Sequence, residues 1–110
     1  MDINLAVIYG RLATVPEVRT TDAGARTARF LVTVASDHPR RRLDVVPVTF
    51  HAADADPDAF DIAAALTEGS RIWVAGAIQR RLFDDQAGGR RTRVEVVAQQ
   101  VTTATEEAGR

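Results

Sequence analysis

All fourteen basic residues of this 110-residue chain are arginine, and they are unevenly spread. Arg40, Arg41 and Arg42 are consecutive, Arg80 and Arg81 are adjacent, and Arg90 and Arg91 are followed by Arg93. A guanidinium pairs with phosphate through two parallel N–H donors and stacks its flat face on other planar groups. Phe83 lies between the second and third clusters, and His38 and His51 stand on either side of the first. Rings able to stack thus accompany the charges, and an imidazole adds a positive charge when protonated. Asp54, Asp56, Asp58 and Asp61 form an acidic run between the first two clusters, which predicts two opposed surfaces. The competing reading of each arginine run is a solvated loop or strand face with no ligand. The absence of lysine is attributed to a GC-rich coding sequence rather than to a selected chemistry.

Other chemistries fail on spacing. Asp54, Asp56 and Asp58 imitate the start of a calcium loop, but Ala59 stands where that loop needs glycine and Ala65 where it needs a bidentate glutamate. His51 with Asp54 gives too few ligands for a closed metal site, and the acids are better read as favourable charges at a helix N-terminus. Ser36 and Ser70 lack a nucleophile elbow, and Gly88-Gly89 reads as a hairpin turn rather than a phosphate loop. Without cysteine there is no thiolate nucleophile, disulfide or thiolate metal site. No enzymatic activity, cofactor or metal is expected.

The elements that must position these residues are mostly strands. Ile3, Leu5, Val7 and Tyr9 recur at period two up to Gly10, a first strand whose opposite face carries Asn4, Ala6 and Ile8. That face is too apolar to leave in water beside a free strand edge, so assembly at least to a dimer through the first strand is expected. After turn residues 20–24, Ala28, Phe30, Val32 and Val34 alternate with Arg29 and Thr33, giving a second strand with its even side inward. A polar loop over 36–42 leads to a third strand, in which Val46, Val48 and Phe50 alternate with Val45, Pro47 and Thr49. Pro47 predicts an edge or bulge there. Pro57 opens a short helix with Phe60, Ala63, Ala64 and Leu66 on one face, stopped at Gly69. Residues 71–81 set Ile72, Val74, Gly76 and Ile78 against Trp73, Ala75 and Ala77, and residues 91–101 form the last strand after a turn over 84–89. This is all-β: five strands with one short helix between the third and fourth, the order of a Greek-key OB barrel.

Composition agrees. With 45% hydrophobic and 26% charged residues and a net charge of −1, usage is ordinary for a globular domain, without the global positive charge of a typical duplex binder. No stretch approaches the roughly 20 apolar residues of a membrane helix. The first ten residues include Asp2 and no basic segment, so no secretory leader is expected and a cytoplasmic location is. One domain over 1–102 followed by a short flexible tail over 103–110 is the expected organisation.

With these residues placed, the chain resembles the bacterial single-stranded DNA-binding protein family over about residues 3–102. The family's opening strand, Gly-[Arg/Asn]-Leu and Pro-Glu-Val-Arg segment read here as Gly10-Arg11-Leu12 and Pro16-Glu17-Val18-Arg19. Its Gly-Ser-x-[Val/Ile]-[Tyr/Trp]-[Val/Ile]-x-Gly strand reads Gly69-Ser70-Arg71-Ile72-Trp73-Val74-Ala75-Gly76. Its final hairpin reads Phe83, Asp85-Gln86-Ala87-Gly88 and Glu95-Val96-Val97.

The resemblance implies sequence-tolerant binding of single-stranded DNA in replication, recombination and repair, by a homo-oligomer, usually a tetramer, that carries the strand on its surface. Bases would stack on aromatic rings at about 1–3 kcal/mol each while a cationic groove follows the phosphates. On this reading the strand-binding candidates are His38, Arg40, Arg41, Arg42, His51, Arg80, Arg81, Phe83, Arg90, Arg91 and Arg93. The family's stacking positions read His38, Val45, His51 and Phe83, of which only Phe83 is a full aromatic; a one-residue gap would put Phe50 in place of His51. Affinity would then rest more on arginine and be salt-sensitive. Trp73 matches a fourth-strand aromatic and is expected to pack rather than to stack on bases. Family members commonly carry an acidic, hydrophobic tip that recruits repair proteins, whereas this chain ends at Glu106-Glu107-Ala108-Gly109-Arg110. That implies a short divergent member, either an auxiliary paralogue or a trimmed chain, with recruitment unsupported. The alternative is an OB-fold assembly module that has lost strand binding.

Overall fold

The computed structural model describes residues 1–104; residues 105–110, which make up most of the expected tail, lie outside the described residues. The strands are β1 (Ala6–Leu12), β2 (Glu17–Thr20), β3 (Arg26–Ser36), β4 (Arg42–His51), β5 (Arg71–Asp84) and β6 (Arg90–Thr103), with a 3-10 turn at Ala52–Asp54 and one helix, α1 (Pro57–Ala64), between β4 and β5. Thr103 belongs to β6, and the Ala104 N–H donates to the Arg71 carbonyl at 2.9 Å. Among the described residues no helix is long and apolar enough to cross a membrane.

Five of the strands close on themselves. β5 pairs antiparallel with β1 and β6, β6 runs parallel to β4 at Val48–Phe50, β4 pairs with β3 along its length, and β3 returns to β1 through Thr33 and Val32. The result is the OB barrel, but the strand count is six, not five. β2 pairs with Arg26–Arg29 of β3, beside the β1 contact. Its four residues are all exposed, so it has no apolar alternation and its hydrogen bonds come from β3 alone. Pro47 sits just before the parallel pairing with β6 begins at Val48, where a missing N–H costs no bond on that side.

The core is built from the inward faces expected of β3 and β4, with Phe30, Val32, Val48 and Phe50 buried alongside Leu12, Ile72, Val74, Val96 and Ala98. Asp56 caps α1 by accepting the Ala59 N–H at 3.3 Å, and Pro57 takes the first turn. Phe60 then packs against Phe50, ring centroids 5.8 Å apart. Burying such a ring contributes about 1.5–3 kcal/mol, which fixes α1 to the barrel.

β1 starts later than expected and presents the opposite face. Ala6, Ile8, Gly10 and Leu12 turn inward, while Val7 and Tyr9 are exposed. Apolar residues on both sides left the parity open. Gly10 decides it: a Cβ there would run into the Thr33 carbonyl oxygen. Asn4 extends the pairing, its Nδ2 donating to the Ile78 carbonyl at 2.7 Å and its Oδ1 accepting from the Ile78 N–H at 2.9 Å. Trp73 is outside the core, on the outer face, 49% exposed with its ring 4.7 Å from the Tyr9 ring.

β5 turns Ile72, Val74 and Gly76 inward as far as Gly76. There the register with β6 slips, and a Cβ on Gly76 would run into the Val97 carbonyl. From Gln79 and Glu95 onward β5 and β6 continue as a two-stranded arm, and Ile78, opposite Val96 at the root of the arm, is exposed.

Candidate nucleic-acid interface

Strand register sorts the candidate residues onto faces, because directly paired residues point the same way. Thr27 lies opposite His51 and Arg29 opposite Thr49; Thr49 lies beside Val97; and along the arm Glu95, Arg93 and Arg91 lie opposite Gln79, Arg81 and Phe83. These positions form one continuous outward surface from the barrel onto the arm. It holds His51, Arg81, Phe83, Arg91 and Arg93 of the expected set. Arg90 does not join it, and Arg80 reaches it only at the wall of the recess shared with His51 and Arg81. Arg80 and Arg90 pair with Val94 and Asp84 on the other face of the arm, because neighbours in a strand point to opposite sides.

The barrel end of this surface is concave. A groove of about 620 Å³ is lined by Arg19, Arg29, Thr49, Arg93 and Glu95, among others. Arg29 also borders a space of about 160 Å³ with Arg81, Phe83 and Arg93, and one of about 370 Å³ with His51, Arg81 and Glu95. Arg29 is therefore the common wall of three recesses. Its Nε is buried and has no hydrogen-bond partner among the described residues. Burial pushes its guanidinium below its ordinary value, the Arg81 charge adds to that, and Glu95 opposes it. Arginine nonetheless stays protonated, so the groove holds a partly desolvated cation with an unused donor, the setting in which an anion gains most. Beside it, Thr49 Oγ1 donates to Glu95 Oε1 at 3.1 Å, both residues being buried.

On the arm the Arg93 guanidinium lies 5.6 Å from the Phe83 ring centroid, a cation–π distance that steadies both side chains. His51 is half-buried, with Nδ1 3.0 Å from Thr27 Oγ1. Phe50 is in the core and against Phe60, so the outward position belongs to His51 and not to Phe50. Val45 is exposed on the same side of β4.

The loop cluster is placed differently. His38, Arg40 and Arg41 are exposed in the 37–41 connection. Arg42 is held by Asp44, its Nε donating to the carboxylate at 3.0 and 3.1 Å and Nη2 at 2.9 Å. Those bonds raise its pKa and occupy the fork that would otherwise grip phosphate. At the arm tip the Asp85 carboxylate accepts from Arg91 Nε at 2.7 Å and from the Gly89 and Ala87 N–H groups at 2.8 and 3.0 Å. The bond from Arg91, then that from Gly89, holds Asp85 below the usual carboxylate range.

Sequence reasoning missed Arg29, Thr49 and Glu95 as site residues. Arg29 was legible as an outward residue of its strand, but only the β3–β4, β4–β6 and β5–β6 registers together bring it to Arg81 and Arg93.

The sequence profile of the single-strand binding protein family matches residues 3–104. The chain is 33% identical over 103 residues to "Single-stranded DNA-binding protein 2" of Listeria innocua, an alignment covering 90% of this chain and 62% of that protein. It is 33% identical over 102 residues to the single-stranded DNA-binding protein of Mycolicibacterium smegmatis, covering 86% and 59%. The chain thus spans about three fifths of the length of these relatives. Among solved structures, the Plasmodium falciparum SSB in complex with ssDNA shares the fold, with a TM-score of 0.78 at 15% identity, covering 96% of this chain and 97% of that one.

Proposed function

The chain belongs to the single-strand binding protein family, and from that membership we propose that it binds single-stranded DNA along the outward face of β3, β4 and the arm. The observation that supports this most is the convergence of Arg29, Arg81 and Arg93 beside Phe83 around shared recesses. Phosphates pair with the guanidinium groups, and bases stack on Phe83 and on free guanidinium faces. With one full aromatic on this face, arginine carries more of the affinity than stacking does. The role is binding in replication, recombination and repair, with no catalytic step. The test is binding of a labelled oligothymidine across a salt series. Each phosphate contact contributes roughly 0.7 to the log–log slope for single strands, so three or more engaged arginines give a slope steeper than about −2. No binding, or binding indifferent to salt, would leave only the assembly-module reading.

Assembly has its own support. Leu5, Val7, Tyr9 and Trp73 expose a run of apolar surface on the outer side of β1 and β5, with Leu5 66% and Val7 56% exposed. A patch of this kind at a sheet edge favours a second copy, so the protein is proposed to form a dimer or tetramer through this face. Sedimentation at micromolar concentration checks it; a clean monomer would overturn it.

A further inference from the structure

We propose that Glu95 and Arg29 form a base-reading subsite in the groove floor that prefers guanine to thymine, an inference that rests on strand binding along this face. A carboxylate in the path of a polyanion repels it unless the carboxylate itself meets a donor. Glu95 is 7% exposed yet lines both of the larger recesses. Thr49 fixes its orientation through one oxygen, and among the described residues Glu95 has no other hydrogen bond and no ion pair. A buried carboxyl group with so few partners has acceptor capacity left over, and a ligand with two adjacent donors fills it.

Unpaired guanine supplies such donors. Its ring N1–H and exocyclic N2 amino group lie side by side and match the two oxygens of a carboxylate, while its O6 and N7 acceptors suit an arginine. Arg29 offers the buried Nε donor that nothing else engages. Adenine and cytosine bring a single amino group each. Thymine brings one ring N–H flanked by two carbonyls that the carboxylate repels. The expected order is guanine, then adenine and cytosine, then thymine. Phe83 stands four residues along β5 from Gln79, the partner of Glu95, which is about 13 Å at about 3.3 Å per residue. Phe83 and the Glu95–Arg29 pair therefore meet different nucleotides, one by stacking and the other by its edge. Thr49 is a positioning residue.

The experiment compares an oligothymidine with the same oligomer carrying guanine at isolated positions, at fixed salt, with inosine, which lacks the N2 amino group, as the third ligand. The intact protein should bind the guanine oligomer roughly fivefold or more tighter than the thymidine one, the low end for a bidentate base contact. Inosine should lose most of that gain. Glu95→Gln should bind oligothymidine more tightly, since a negative charge has left the groove, and should lose the guanine preference. Equal affinity of the intact protein for guanine and thymine oligomers would overturn the subsite while leaving strand binding in place. A preference that survives both inosine and Glu95→Gln would also overturn it. No binding to any oligomer would overturn the strand-binding reading itself.

Discussion

The two arginine-rich regions of the molecule differ in what holds their side chains. The Arg40-Arg41-Arg42 run is the densest charge in the sequence, yet Arg40 and Arg41 are exposed on a loop and Arg42 is tied to Asp44. Arg29, Arg81 and Arg93 are scattered in sequence and come together on one sheet face, with Phe83 alongside. A flexible exposed arginine loses rotamer entropy when it pairs, and a tethered one must first give up its partner. In the sheet cluster Arg29 is partly stripped of water and Arg81 is half-buried, while Arg93, though exposed, is steadied against the Phe83 ring. Position on a rigid surface, more than the number of charges in a row, decides which cations a ligand uses.

The largest expected effect tests that contrast. Arg81→Gln with Arg93→Gln should cost roughly 3 kcal/mol of strand affinity, about 1.5 for each charge-assisted hydrogen bond, and reduce the salt slope by roughly 1.4. Arg40→Gln with Arg41→Gln should cost less than about 1 kcal/mol, as exposed pairs usually do. If the loop pair costs more than the sheet pair in the same titration, the comparison is reversed and the groove is not the main path.

Phe83→Ala is next, with a loss of about 1–3 kcal/mol of binding if one base stacks on the ring. Phe83 lies on the arm outside the buried core, so the melting temperature should move little. A marked drop in melting temperature with unchanged affinity would make the ring a strut for Arg93 instead.

Why the barrel was easier to read than the site follows from particular residues. On β3 and β4 one side is apolar at period two, Ala28 to Val34 and Val46 to Phe50, and Phe30, Val32, Val48 and Phe50 of that side fall in the core. β1 carries apolar residues on both sides, so only the Gly10–Thr33 approach fixes its parity. Arg80 and Arg81 look equivalent in sequence, and strand geometry alone sends them to opposite faces. Glu95 belongs to a motif that fits a strand, but its burial next to Thr49, 46 positions away, is a product of the β4–β6 pairing. Local pattern reveals which face a residue takes; it does not reveal which distant residue shares that face.

A smaller effect comes from the acids that restrain arginines. Asp44→Asn removes the charge that holds Arg42. If the freed fork reaches a phosphate, the salt slope should steepen by up to about 0.7 with a modest gain in affinity. No change would place Arg42 off the strand path altogether and widen the contrast between the two regions.

The smallest effect is confined to the arm tip and depends on pH. Asp85 is held below its ordinary value of 3.8 by Arg91 first and by the Gly89 N–H next. A carboxyl with a depressed folded-state pKa adds order that is fully present above its ordinary value and is lost as pH falls through the lower, folded value. The turn should therefore survive acidification that protonates ordinary carboxylates. In nuclear magnetic resonance spectra the Gly89 and Ala87 amides, which donate to Asp85, should hold their shifts through the ordinary carboxylate range and move together below it. Gly88, with φ of 87°, keeps the turn accessible to the backbone even then, so the change is a loosening around Arg91 rather than a loss of the hairpin. Amides that titrate at the ordinary carboxylate value would show that Arg91 does not hold Asp85 in solution, and would leave Arg91 as free for phosphate as Arg81 and Arg93.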